Sequence, residues 1–142
     1  MLTPSYIVGL VDGQGNFTVY IRNLDGKKDV KRKAKVEPRF HIKVLEHDKD
    51  VLLHIKDFFQ CGNVYFQKDN RKNHHHAYRY EVTSREDLEK IIIPFFINHP
   101  LQFSSQKNNF ALFCEIIRRI KRKEHASEHG LRVLHSIKKH MQ

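Results

Sequence analysis

Ile7-Val8-Gly9-Leu10-Val11-Asp12-Gly13-Gln14-Gly15, running straight into Asn16-Phe17-Thr18-Val19-Tyr20-Ile21-Arg22, is the stretch on which the fold turns. Thr3-Pro4 ahead of it reads as an N-cap followed by proline at the first helical position, and Gly13 and Gly15 are stop signals about ten residues later. A short helix is predicted over residues 4–13. Phe17, Val19 and Ile21 then alternate with Asn16, Thr18, Tyr20 and Arg22, the period-two pattern of a strand with one apolar and one polar face. Gly9 and Gly13 lie four apart, so they share one helical face where missing side chains let a second helix backbone approach closely. Helix termination accounts for Gly13 and Gly15 but leaves Gly9 unexplained. The face is therefore read as a dimer surface, formed by Gly9 and Gly13 with Val8 and Asp12 beside them.

Outward from this segment, Leu24-Asp25-Gly26-Lys27 turns the chain into a second strand through residues 35–44. Val36, Phe40, Ile42 and Val44 face inward and Lys35, Glu37, Arg39, His41 and Lys43 outward; Pro38, on the apolar side, marks an edge or a bulge. Val51, Leu52, Ile55, Phe58 and Phe59 keep the spacing of an amphipathic helix, which Gly62 ends. Two more strands, about 63–69 and 76–83, are joined by the polar loop Asn70 to Asn73. Tyr65, Gln67, Ala77, Arg79 and Glu81 share the face opposite Val64, Phe66, Tyr78, Tyr80 and Val82. Ser84-x-x-Asp87 is a helix cap, and helices over about 85–97, 106–123 and 127–140 complete the order α-ββ-α-ββ-α-α-α. No linker interrupts it, so residues 1–142 are read as one domain.

The 142 residues carry 26 Lys+Arg against 16 Asp+Glu, a formal charge of +10, more than solubility requires. A polyanion is the first partner this implies, and an anionic membrane surface the weaker one. With 39% hydrophobic and 11% aromatic residues the charge is displayed on a folded scaffold rather than a disordered tail. The longest apolar run, Ile91 to Ile97, is broken by Pro94 and is far shorter than the roughly 20 residues that span a bilayer. Cys61 and Cys114 form no CxxC pair and no leader precedes them, which points to a reducing intracellular compartment. They are read as core residues. In His74-His75-His76 the side chains of a strand alternate faces, so the three do not converge on one ion, and solvation or DNA contact is preferred to zinc.

A sheet face bearing Asn16, Thr18, Tyr20, Arg22, Lys33, Lys35, Glu37, Arg39, His41, Gln67 and Arg79 has the chemistry of a DNA-reading ribbon. Such a ribbon fits the major groove, where arginine pairs with guanine and polar side chains with other base edges. The runs Lys27 to Lys33 and Arg118 to Lys123 are candidates for phosphate contact.

The segment 7–15 with its trailing strand resembles the motif of the LAGLIDADG homing endonucleases and related maturases. Arg39-Phe40-His41-Ile42-Lys43, Tyr80-Glu81-Val82-Thr83-Ser84 with Ile92-Ile93-Pro94-Phe95-Phe96, and the helix Phe110 to Ile120 are similar to one-motif members, so nearly the whole chain is covered. The resemblance implies an α+β, homing-endonuclease-like fold: α-ββ-α-ββ-α with extra C-terminal helices and a four-stranded antiparallel, saddle-shaped sheet. It further implies a homodimer on a pseudo-palindromic double-stranded DNA target, cut in both strands at an intron-insertion site with Mg²⁺ (or Mn²⁺). Members carry a metal-binding acid where this chain has Gln14, next to Gly13. A glutamine amide offers one neutral acceptor in place of a carboxylate, so weak metal binding and weak or absent cleavage are expected. In the family the position of Asp12 helps hold the helix end. A basic residue just before the helix of Phe110 stabilises phosphate charge in members; counting back puts Gln106 there, with Lys107 adjacent. Such proteins work in a prokaryotic cytoplasm or nucleoid, or an organelle matrix. The alternative is a non-cleaving binder, either an RNA maturase of this type or a DNA-binding repressor.

Overall fold

The computed structural model describes residues 2–22 and 35–141. Helix α1 spans Pro4–Gln14; the Thr3 hydroxyl accepts the Tyr6 N–H at 3.2 Å and Pro4 takes the first turn, where an N–H would have no partner. Strand β1, Gly15–Arg22, follows with no loop between. Only glycine fits that junction, because a Cβ at Gly15 would lie 2.6 Å from Val11 Cγ1.

Strand β2, Lys35–Leu45, pairs antiparallel with β1 from Gly15↔Ile42 to Arg22↔Lys35. Its other flank pairs with β4, Ala77–Val82, and β4 in turn with β3, Asn63–Gln67, giving the order β1-β2-β4-β3. Pro38 sits opposite Val19, past the last β2–β4 rung at Phe40↔Val82. One flank of β2 is unpaired there, so the missing N–H removes no rung to β4, as an edge proline requires. Strands β3 and β4 are shorter than the sequence pattern predicts because the connection folds on itself. The Asp69 carboxylate grips Arg71 at 2.7 Å and the Asp69 N–H donates to His76 Nδ1 at 2.9 Å.

A 3-10 turn at Glu46–Asp48 leads into α2, Lys49–Phe59. The expectation that Gly62 ends this helix is corrected: Gln60 takes the left-handed cap, φ 56°. Gly62, φ +81°, instead shapes the entry to β3, where a Cβ would stand 2.8 Å from the Tyr80 ring. After Ser84, whose hydroxyl accepts the Asp87 N–H at 3.3 Å, comes a run of three pieces: α3 Arg85–Asp87, a π turn at Leu88–Ile92, and α4 Ile93–Asn98. Pro94 cannot donate a helical hydrogen bond, and the wider turn before it lets the Ile93 N–H reach the Leu88 carbonyl, so the run continues past the proline. Helices α5, Ser104–Lys121, and α6, Glu128–Lys139, close the chain.

The core lies between the helices and one face of the sheet. Phe17 meets Phe40, Phe96 and Phe113 at ring-centroid distances of 5.0, 5.6 and 5.3 Å. Ile7, Val11, Leu52, Ile55, Leu88 and Ile116 are fully buried around them. Burying each such side chain stabilises the fold by about 1.5–3 kcal/mol before entropy is counted. Cys61 and Cys114, read as core residues, are only half-buried at its margin, and both are free thiols.

Candidate nucleic-acid interface

The second face of the sheet is the polar one, and the register sets its side chains in rungs. Asn16, His41, Glu81 and Asn63 form one rung across β1, β2, β4 and β3; Lys43, Arg79 and Tyr65 form the next. On the other side of the first rung, Thr18 pairs with Arg39, Tyr20 with Glu37, and Arg22 with Lys35. Gln67 stands opposite Ala77. Ten of the predicted DNA-reading residues therefore share one surface. Lys33, with the whole run Lys27 to Lys33 and the turn from Leu24 to Lys27, lies outside the described residues.

A chain of charges runs through this surface. Lys35 and Arg39 both reach Glu37, at 2.9 and 2.8 Å; Arg39 lies 3.9 Å and Arg79 3.0 Å from Glu81. Arg79 Nη2 is 2.8 Å from His41 Nδ1, and the Arg39 guanidinium sits 5.6 Å from the centre of the Tyr20 ring. Burial first, and then the positive charges of Arg79, Arg39 and Lys43, push the His41 pKa down to about 4. The ring is thus neutral at pH 7 and accepts from Arg79. Glu37 is held below the ordinary carboxylate range, chiefly by its hydrogen bond from Arg39. Two carboxylates, Glu37 and Glu81, are thus built into the face among its cations. Alternation alone places Glu81 on this face, but its contacts depend on the β2–β4 register, which no sequence pattern states.

At the end of α1 the two sides of the helix diverge. Gly9 and Gly13 are exposed, and a Cβ added to either would meet nothing within 4 Å. Val8 is half-buried beside them. Asp12, expected on the same dimer surface, instead points inward at 7% exposure. Its carboxylate accepts the backbone N–H of Gln102 at 3.0 Å and of Phe103 at 3.1 Å, tying the start of α5 to α1. Gln14 is exposed and lines a cleft of about 780 Å³ with Tyr6, Leu10, Asn16, Lys43 and Asp50 among others.

Gln106 and Lys107 do not precede the helix of Phe110. Helix α5 begins at Ser104, so both lie in its first turn. The Gln106 amide is buried and donates to the carbonyls of Val11 at 2.8 Å and Gly15 at 2.6 Å, across the junction between α1 and β1. It braces the helix and is not free to meet a phosphate, whereas Lys107 is exposed. The residues do not fit a resident divalent cation: Gln14 is neutral, Asp12 is consumed by backbone N–H groups, and Gly13 offers only a carbonyl. Among the described residues no group of three or more His, Cys, Asp or Glu is placed to hold a metal ion.

The run Arg118 to Lys123 lies away from this face. Earlier in α5, Phe110 and Phe113 pack against Phe17 under the apolar side of the sheet, and within the run Arg119 is held by Glu115 at 3.1 Å and Glu124 at 2.9 Å. Among the described residues no helix is long and apolar enough to cross a membrane.

Comparison with known proteins agrees with this geometry. The family model described as LAGLIDADG endonuclease matches residues 7–117. A probable intron-encoded endonuclease 2 of Neurospora crassa is 30% identical over 134 residues, covering 92% of this chain and 27% of its own. Among solved structures, the homing endonuclease I-TnaI superposes with TM-score 0.82 at 33% identity, over 99% of this chain and 88% of that one. I-LtrWI, a LAGLIDADG homing endonuclease bound to target DNA, gives 0.86 at 30%, over 99% and 44%. I-SmaMI, bound to an uncleaved DNA target in the presence of calcium ions, gives 0.80 at 29%, over 97% and 44%. The chain thus spans about a quarter of the Neurospora relative and under half of I-LtrWI. With the motif helix, the sheet order and the family match in agreement over most of its length, the chain belongs to the LAGLIDADG endonuclease family.

Proposed function

We propose that residues 1–142 act as one domain that binds double-stranded DNA through the polar face of the sheet. Two copies join across the Gly9–Gly13 face of α1 on a pseudo-palindromic target, and cleavage is impaired by Gln14. The observation that carries this reading is the set of ten hydrogen-bonding side chains brought to one surface by the β1-β2-β4-β3 register. A ribbon of that width suits the major groove, where such groups tell base pairs apart. The exposed glycine face supports the twofold arrangement, since an isologous contact repeats one patch on both copies and presents two identical sheets to two half-sites. A target of this kind lies inside the cell, in a prokaryotic cytoplasm or nucleoid or an organelle matrix. Burial raises the thiol pKa of both cysteines, Cys114 to about 11, which suits unreactive thiols in a reducing compartment.

Selection of bound duplexes from a random pool tests the reading. A recovered site with twofold symmetry, and a complex of two chains per duplex in sedimentation, are the expected results. A protein that recovers no consensus and stays monomeric at micromolar concentration would overturn it.

A further inference from the structure

Arg79 is held differently from the other cations of the strand face. It stands on β4 in the interior of the sheet, between Lys43 and Tyr65 on its rung. Its Nε lies 3.0 Å from Glu81 and its Nη2 2.8 Å from His41 Nδ1. A guanidinium carries five N–H donors; among the described residues the one hydrogen bond Arg79 makes is from Nη2 to His41, and Nε meets Glu81 by charge alone, so both hydrogens of Nη1 and one of Nη2 make no hydrogen bond. Arg39 has the opposite arrangement. Its Nη2 is bonded to Glu37 and its Nη1 lies 3.9 Å from Glu81, so both terminal nitrogens face carboxylates.

Guanine presents two acceptors, N7 and O6, to the major groove, and their spacing matches the terminal fork of an arginine. A long side chain that must be fixed before it can donate twice forfeits part of its binding energy as rotamer entropy. Contacts at Nε and at one hydrogen of Nη2 reduce that cost and leave a hydrogen on each terminal nitrogen to donate. Glu81 supplies such a contact at 15% side-chain exposure, where the ion pair is less screened than on an open surface. His41, neutral and accepting, supplies the second.

We infer that Arg79 reads a guanine in each half-site and that Glu81 and His41 are positioning residues for it, while Arg39 is a brace whose fork is bonded to Glu37 and faces Glu81. The inference rests on the DNA-binding reading above and sharpens it to one base position.

Competition binding against every single-base variant of the selected site tests it, with wild type, R79A, E81Q and H41A compared. R79A removes the guanine preference at one position per half-site. E81Q weakens that same preference about tenfold and H41A about threefold, with discrimination at the other positions retained, within the range of a single bidentate contact. E81Q also raises affinity for unrelated duplex, since a negative charge has left the surface. A variant that merely loosens the fold would lose discrimination evenly across the site, and H41A guards against a misfolded E81Q. The proposal is overturned if E81Q and H41A keep the preference that R79A loses, if they lose discrimination at all positions alike, or if R79A changes no single position. Recovery of no consensus by the wild type would instead defeat the DNA-binding reading itself.

Discussion

On one side of α1, Val11, Asp12 and Gly15 are sunk into the chain, met by the Gln106 amide, the N–H groups of Gln102 and Phe103, and the close contact that only glycine permits. On the other side Gly9, Gly13 and Gln14 are exposed, and the two glycines have open space where a side chain would go. The same nine residues therefore serve two ends. The inner side is stabilised by contacts within the chain, so changes there should read out as folding energy. The outer side contributes almost nothing to the isolated fold, so changes there should read out as association and chemistry.

The largest test of this contrast is Gln14→Glu. It restores a carboxylate at the exposed helix end, and cleavage of the selected duplex in Mg²⁺ is expected to rise at least about 10²-fold with the melting temperature unchanged. A Gln14→Glu chain as inert as its parent would place the lesion elsewhere. Next is Asp12→Ala, which strands two backbone N–H groups that now donate to a charge; urea denaturation should show a loss of about 3 kcal/mol. If Asp12→Ala melts like the parent while dimerisation fails, the two sides have been assigned the wrong way round. Gly15→Ala forces a Cβ against Val11, and overpacking of this kind should cost about 2 kcal/mol in the same assay. Gly9→Leu is expected to shift unfolding of the monomer by less than about 0.5 kcal/mol, the ordinary range for an exposed position, plus a small helical gain over glycine. Its effect belongs in sedimentation, as an at least tenfold weaker dimer.

Much of this architecture is legible in the sequence where the signal is local. Thr3-Pro4 and the glycines bounded α1 to within one residue, and strict alternation from Asn16 to Arg22 and from Lys35 to Val44 assigned the faces of β1 and β2 correctly. What could not be seen depends on partners distant in sequence. Gln106 looks like any polar residue in a first helical turn until the chain brings the carbonyls of Val11 and Gly15 to it, 95 and 91 residues away. Asp12 sits on the helix as if beside Gly9 and Gly13, but the loop before α5 claims it. Glu81 gained its neighbours from the β2–β4 register. The left-handed Gln60 escaped because Gly62 offered the stronger local stop signal, and the π turn before Pro94 because widened helical turns leave no periodic mark of their own.

The direct passage from α1 into β1 at Gly15 has a consequence for redesign. With no loop to act as a hinge, Asn16, on the polar face of β1, is fixed two residues from Gln14 at the end of α1. On the proposed DNA-binding reading, the innermost base contact of a half-site would thereby be tied to the position of Gln14. On the same reading, exchange of residues from Thr18 outward would respell the rest of the half-site and leave that innermost contact in place.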